Sequence, residues 1–336
     1  MGRVFVEDWA ASYGSPYLVV PDDADTAAVL VEDGAAFAVH TPDPAGALTG
    51  QVAFIDGVRR GDASLYQEDP ATRLLARGIA GSHACGAVLI NGDERPVCAR
   101  EHISRMVIWG SGLPATLPAQ PGGWSWQSAS VESDEPDAPL VGLQQRMRQA
   151  EGRLAEQLCA DGYLTIVDGP LTYVRSHDLP VVGYVKTHSR PLLDPDAHRR
   201  VPELAPGQRT SLFALGADRY SAYLRLAPVS ASSGPWTGIV RLEVPQSAGL
   251  DAAVTVADQV SATVPRYAGI AHRDPRAPQN LQPVGALEKH LRHLLGDSGL
   301  ARRAVRESVA QLAAQAAPSA AVTVPAQAAP SPASAP

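Results

Sequence analysis

Two stretches of the chain end alike. The apolar residues Val52, Ala53, Phe54 and Ile55 stop at Asp56-Gly57, and Leu164, Ile166 and Val167 stop at Asp168-Gly169. A short apolar run closed by turn residues predicts a buried strand. A third run, over 180–186, ends at Lys186 and is followed by the polar Thr187, His188, Ser189 and Arg190. Strands are also expected over 81–90 and 97–109, parted by the hairpin signal Asn91-Gly92, and over 220–226 and 238–244. Leu143, Met147, Leu154 and Leu158 recur at helical spacing and predict an amphipathic helix over 143–160. Further helices are expected over 281–295 and 300–316. Strands interleaved with helices predict an α/β fold, a mixed sheet with flanking helices.

The remaining segments read as additions to one α/β domain over 51–316. Residues 1–50 read as an acidic, partly helical lead-in that ends in the turn-rich stretch 40–50. Residues from about 110 to 140 are rich in Pro, Gly and Ser and carry Glu132, Asp134, Glu135 and Asp137, which predicts a long loop or insertion. The Ala/Pro-rich tail, 317–336, has too little apolar bulk for a core and is expected to be disordered.

Within this frame three carboxylates stand out. An aspartate closing a buried strand places an anion at the rim of an apolar sheet, which is costly unless a cation or donors compensate it. Asp56 or Asp168 alone reads first as a turn aspartate, because Asp-Gly is a common turn dipeptide; the pair points to a shared site. Glu151 lies on the helix's apolar stripe, four residues after Met147 and three before Leu154, whereas Arg146, Arg148, Arg153 and Glu156 lie off it. A glutamate on an apolar face pairs with a cation or binds a metal; Glu156 is the alternative ligand. Such a set could hold two divalent ions for phosphodiester hydrolysis, and oxygen ligands favour Mg²⁺ or Mn²⁺ over zinc.

Charge changes the picture little. The net charge of −7 argues against nucleic acid at first, but residues 1–50 hold eight acids against the single Arg3, so the rest of the chain is balanced. Its bases can be gathered along one groove. All but two of the cationic residues, Lys186 and Lys289, are arginines, whose fork suits phosphate. Arg59 and Arg60 beyond Asp56, Arg175, Lys186 and Arg190 are the candidate phosphate contacts. His83, His177 and His188 read as surface or packing histidines. Cys85, Cys98 and Cys159 show neither metal-ligand spacing nor a disulfide framework, which fits a reduced cytoplasm. The chain has no run of eighteen apolar residues, so no membrane span is expected, and its first residues lack a basic-then-apolar signal arrangement.

Taken in order, Phe54 to Gly57, the helix glutamate, Thr165 to Leu171, Val182 to Lys186, Arg219 to Leu226 and Ile239 to Pro245 resemble the NurA family of DNA-end-processing nucleases. The resemblance spans roughly residues 50 to 295. It implies an RNase H-like fold, a homodimer around a DNA channel, Mn²⁺-dependent cleavage and partnership with a HerA-like hexameric ATPase that drives DNA. Asp56, Glu151 and Asp168 match the family's metal-binding carboxylates, and Lys186 is implied to meet phosphate or developing charge. The family's C-terminal tyrosine and histidine, eight residues apart, have no counterpart over 276–288. Tyr267 and His272 lie upstream and only five apart, so His272 is a candidate fourth ligand and Glu288 a carboxylate substitute. Two other readings stay open: a two-metal phosphodiesterase acting on RNA or branched DNA, and a catalytically weak dimeric adaptor of a translocase ring. The acidic residues 1–50, with Val4, Phe5, Trp9 and Tyr13, are expected to dock a partner, to form a dimer surface, or to pack as an extra layer.

Overall fold

A computed structural model describes residues 3–6, 28–69, 72–112, 114–175, 180–188, 190–228 and 233–316. The expected tail 317–336, Trp9, Tyr13, His177 and Ser189 lie outside these residues. In chain order the strands β1 (Arg3–Val6), β2 (Val29–Leu30) and β3 (Val39–His40) precede three long strands, β4 (Gln51–Glu68), β5 (Leu75–Asn91) and β6 (Val97–Trp109). Then come β7 (Gln127–Ser130), α1 (Ala138–Ala160), β8 (Leu164–Asp168), β9 (Val181–Val185) and α2 (Pro195–Arg200). The chain continues through β10 (Arg209–Thr210), β11 (Phe213–Leu215), β12 (Arg219–Arg225), β13 (Ile239–Pro245), α3 (Leu250–Thr263), α4 (Gln282–Leu294) and α5 (Ser298–Ala316).

The fold is α/β, with one mixed sheet in the order β2-β11-β12-β13-β9-β8-β4-β5-β6-β7. β4, β5 and β6 form an antiparallel meander, whereas β8 runs parallel to β4 and β9 parallel to β8. β1 pairs antiparallel with the far end of β4, Arg3 opposite Glu68. Alternation along β4 sends Val52, Phe54 and Val58 into a core shared with Leu287 and Leu291 of α4 and Ala257 of α3. Ala53 and Ile55 instead enter a core with Leu154 and Leu158 of α1. Each strand of this central region is therefore apolar on both faces, as a sheet covered by helices requires. No helix among the described residues is long and apolar enough to cross a membrane.

Several expectations are corrected. β4 does not stop at Asp56-Gly57 but runs on for eleven residues, because the long antiparallel pairing with β5 continues its ladder through that dipeptide. The 110–140 segment is not wholly loop: β7 adds a parallel strand to β6, and Trp126 packs into a core with α5 residues Val305 and Val309. Among the described residues of 1–50 there is no α-helix; short strands and two 3-10 turns take its place. Helix α3 was not anticipated. Its small buried Ala253 and Ala257 give a weak stripe, yet they let it lie close against the sheet.

His83 on β5 is a packing histidine, 3 % exposed, beneath the arginines of α1. Burial first, then His102, Arg153 and Arg146, lower its pKa from 6.5 to about 4. Its neutral form therefore stabilises the fold fully above pH 6.5, and that contribution is lost as pH falls toward 4. Urea unfolding should lose roughly 2 kcal/mol from this group between pH 7 and pH 5, and His83→Gln should flatten that slope. An identical slope in the variant would refute the assignment.

Candidate metal site

Asp56 sits in the middle of β4, on the side of the sheet that Phe54 and Val58 bury against α4. Asp168 is the last residue of β8, two residues after Ile166, and so projects to the same side. Glu288 arrives from α4, four residues after Val284 and one after Leu287, both fully or almost fully buried. Three carboxylates from elements far apart in sequence thus meet: one oxygen from each of Asp56, Asp168 and Glu288 lies within 4.8 Å of the other two. They are buried, with exposures of 5, 8 and 5 %.

Glu151 stands on the other side of the same strand. Its Oε1 faces Gly57, the residue whose missing side chain leaves room for it, and it belongs to no three-residue ligand group among the described residues. Its Oε2 accepts a 2.8 Å hydrogen bond from Arg148, and Arg148 also donates to the Asp168 carbonyl. Glu151 Oε1 has no hydrogen-bond partner although the residue is 1 % exposed. The four carboxylates are therefore split by the sheet, three on the α4 side and one on the α1 side.

Each of these acids but one has its own cation. Lys186, just past β9, donates to Asp168 at 2.6 Å. Arg276 donates to both oxygens of Glu288, at 2.8 and 2.9 Å, and Arg292 reaches Glu288 at 3.1 Å. Asn280 links the two halves, accepting from Lys186 at 2.9 Å and donating to Asp274, which in turn holds Arg276. Asp56 makes no ion pair with a described residue. Burial, then the charges of Asp168 and Glu151, raise its pKa well above the usual carboxylate value, against the pull of Lys186 and Arg148. Burial also raises Glu151, with Arg148 opposing and Asp168 adding. Burial opposes ionisation of Asp274, but Asn280 and Arg276 outweigh it and hold that carboxyl at about 2.

The loop after Asp168 is braced from below. Glu243, fully buried on β13, accepts from the Leu171 amide at 2.9 Å and pairs with Arg241 at 2.6 Å and Arg219 at 3.2 Å. An anion so enclosed persists because donors surround it, and it ties the chain leaving Asp168 to β13, on the far side of β9.

The other expected site residues are spread out. His272 is exposed in a turn and lies outside the carboxylate group, so the fourth-ligand candidate there is corrected; Glu288 is the residue that meets Asp56 and Asp168, because α4, not the preceding loop, faces Asp56. Tyr267 packs edge-on against Phe54 at 5.0 Å. Glu156 accepts from the Arg175 amide and thus serves the loop beyond β8, not the site. Of the expected phosphate contacts only Lys186 reaches the carboxylates. Arg59 donates to Gln144. Arg60 holds Asp62 and the carbonyls of Leu295 and Gly296. Arg175 is exposed beyond β8, and Arg190 lines a separate hollow with His188 and Trp236. Arg276, Asn280 and Asp274 were not singled out from sequence. Glu288 obeys the rule that marked Glu151, a carboxylate on the apolar stripe of its own helix.

Gly57 permits this arrangement by close approach rather than by a turn. A Cβ there would meet Glu151 Oε1 and come within 2.9 Å of Met147 Cγ, both on α1. Gly57→Ala should cost about 1–3 kcal/mol through overpacking and displace Glu151. Thermal unfolding reads the first effect, and a melting temperature equal to that of the parent would refute the packing argument.

No protein-family model matches the chain, and neither does any curated protein.

Proposed function

We propose that the chain is a divalent-metal-dependent deoxyribonuclease of the NurA type, hydrolysing phosphodiester bonds at DNA ends. The observation that carries this reading is Asp56: a buried carboxylate that makes no ion pair with a described residue, with one oxygen each of Asp168 and Glu288 within 4.8 Å of its own. The donor set is all oxygen, which fits Mn²⁺ or Mg²⁺, and Glu151 Oε1, behind Asp56, is buried with no hydrogen-bond partner. Asp56, Asp168 and Glu288 would hold the ion. Such an ion lowers the pKa of a bound water and offsets charge on the phosphate and leaving oxygen.

The chain's own residues supply the rest. Lys186 can turn from Asp168 toward a phosphate oxygen without leaving Asn280. Arg276, once Glu288 has another cation, is free to meet the backbone of the strand. Arg148 opposes the burial that raises the Glu151 pKa and fixes the Asp168 carbonyl, which orients the end of β8. Sequence-independent binding follows, since all of these are phosphate contacts rather than base contacts. A mixed sheet with helices on both faces supports the RNase H-like reading. The order of motifs along the chain supports the family reading, with a homodimer and a HerA-like hexameric ATPase as partners. The acidic 1–50 segment would repel DNA, which favours a docking role for it over a channel lining.

The test is cleavage of linear single-stranded and duplex DNA, with RNA as competitor, across a Mn²⁺ titration and with or without the candidate translocase. Metal-dependent release of nucleotides from DNA ends is expected. Turnover of RNA in preference to DNA would point to another two-metal phosphodiesterase, and no turnover with any divalent ion would leave the adaptor reading.

A further inference from the structure

A cavity of about 990 Å³ opens beside the carboxylates, between the hairpin joining β5 to β6 and helix α4. Glu288, Arg276 and Asn280 belong to both the cavity and the site, so the two are continuous. The volume is at the top of the ~300–1,000 Å³ range of pockets that enclose small ligands. Its walls divide into two chemistries. Val88, Ile90, Ile270 and Leu281 make an apolar interior with Tyr267 beside them. Arg273 and Lys289 stand exposed at its edge, and neither makes an ion pair among the described residues.

We propose that this cavity is a nucleotide subsite, taking an unpaired base of a single DNA strand next to the phosphate that lies over the carboxylates. This deepens the nuclease reading and rests on it. An apolar recess rimmed by unpaired cations matches the two halves of a nucleotide, a flat base and an anionic phosphate. The recess is walled by β5 and α4, so a base must leave its stack to enter. A frayed or single-stranded end meets that demand without the few kcal/mol that unstacking costs. The subsite thereby selects unpaired ends through shape and stacking, independent of base identity.

The experiment compares two short single-stranded oligonucleotides, one normal and one abasic at its last positions, by fluorescence anisotropy in metal-free buffer at low ionic strength. The parent protein should bind the normal strand about tenfold more tightly, the scale of stacking a base or two. Ala286→Trp, at an exposed α4 position lining the cavity, should fill the recess and abolish that preference. Lys289→Glu should weaken both strands and reduce the salt dependence of binding. Circular dichroism establishes that each variant folds. Equal affinity for normal and abasic strands overturns the subsite, and so does an unchanged preference in folded Ala286→Trp. If DNA is still cleaved with Mn²⁺ in either case, the nuclease reading survives alone. A parent protein that binds no single-stranded DNA also overturns the subsite, and Mn²⁺-dependent cleavage of DNA ends then decides the nuclease reading separately.

Discussion

Asp56→Asn is expected to abolish metal-dependent cleavage while making the metal-free protein more stable at neutral pH. Asparagine keeps the shape of the side chain and removes the carboxylate of this cluster that makes no ion pair with a described residue. Cleavage should fall by more than about a hundredfold, beyond the ~10–100-fold cost of losing an outer-shell partner of a metal site. The stability effect has the opposite sign. Because burial and neighbouring acids raise the folded pKa of Asp56 above the usual 3.8, its contribution is fully present below that value and is lost as pH rises through the folded pKa. The metal-free parent should therefore lose stability from acid toward neutral pH, and Asp56→Asn should not. Its advantage in melting temperature should grow as pH rises above about 4 and should vanish near pH 4. Added Mn²⁺ should raise the melting temperature of the parent and not that of the variant. Retained cleavage, or a variant less stable than the parent at neutral pH without metal, would refute the account.

Glu288→Gln should reduce cleavage by about a hundredfold as well, although the sequence offers residue 288 only as a substitute for a missing family ligand. The glutamine would still accept from Arg276 through its carbonyl oxygen, so the loop over 274–280 should stay in place while one of three clustered anions is lost. The effect should be read as weaker Mn²⁺ binding by calorimetric titration and as a higher metal concentration at half-maximal cleavage. His272→Ala should leave both unchanged, since that side chain is exposed and away from the carboxylates. If His272→Ala raises the metal requirement and Glu288→Gln does not, the ligand set drawn from the structure is wrong.

Much of the sheet was legible because its strands bury both faces. The runs ending at Asp168 and Lys186 are five-residue strands with every residue buried, and such strands announce themselves as unbroken apolar runs. The stripe of α1 was equally plain. Asp56-Gly57 misled because a turn dipeptide and a mid-strand dipeptide share their composition. Only the partner strand β5 shows that the ladder continues, and only the packing of α1 shows that glycine is there to admit Glu151.

The chain by itself determined that buried strands would carry Asp56 and Asp168 and that a helix would carry Glu151 on its apolar side. Periodicity is local, so it can be read residue by residue. It could not determine on which side of the sheet each carboxylate lies relative to the others, since that depends on which face of β4 each helix covers. The tertiary structure decided this: α1 covers the Gly57 side and brings Glu151 with Arg148, while α4 covers the Asp56 side and brings Glu288, which Arg276 of the preceding turn meets. The grouping of Asp56, Asp168 and Glu288 spans more than two hundred residues of chain, and contacts at that separation are set by the packing of layers rather than by any pattern within them.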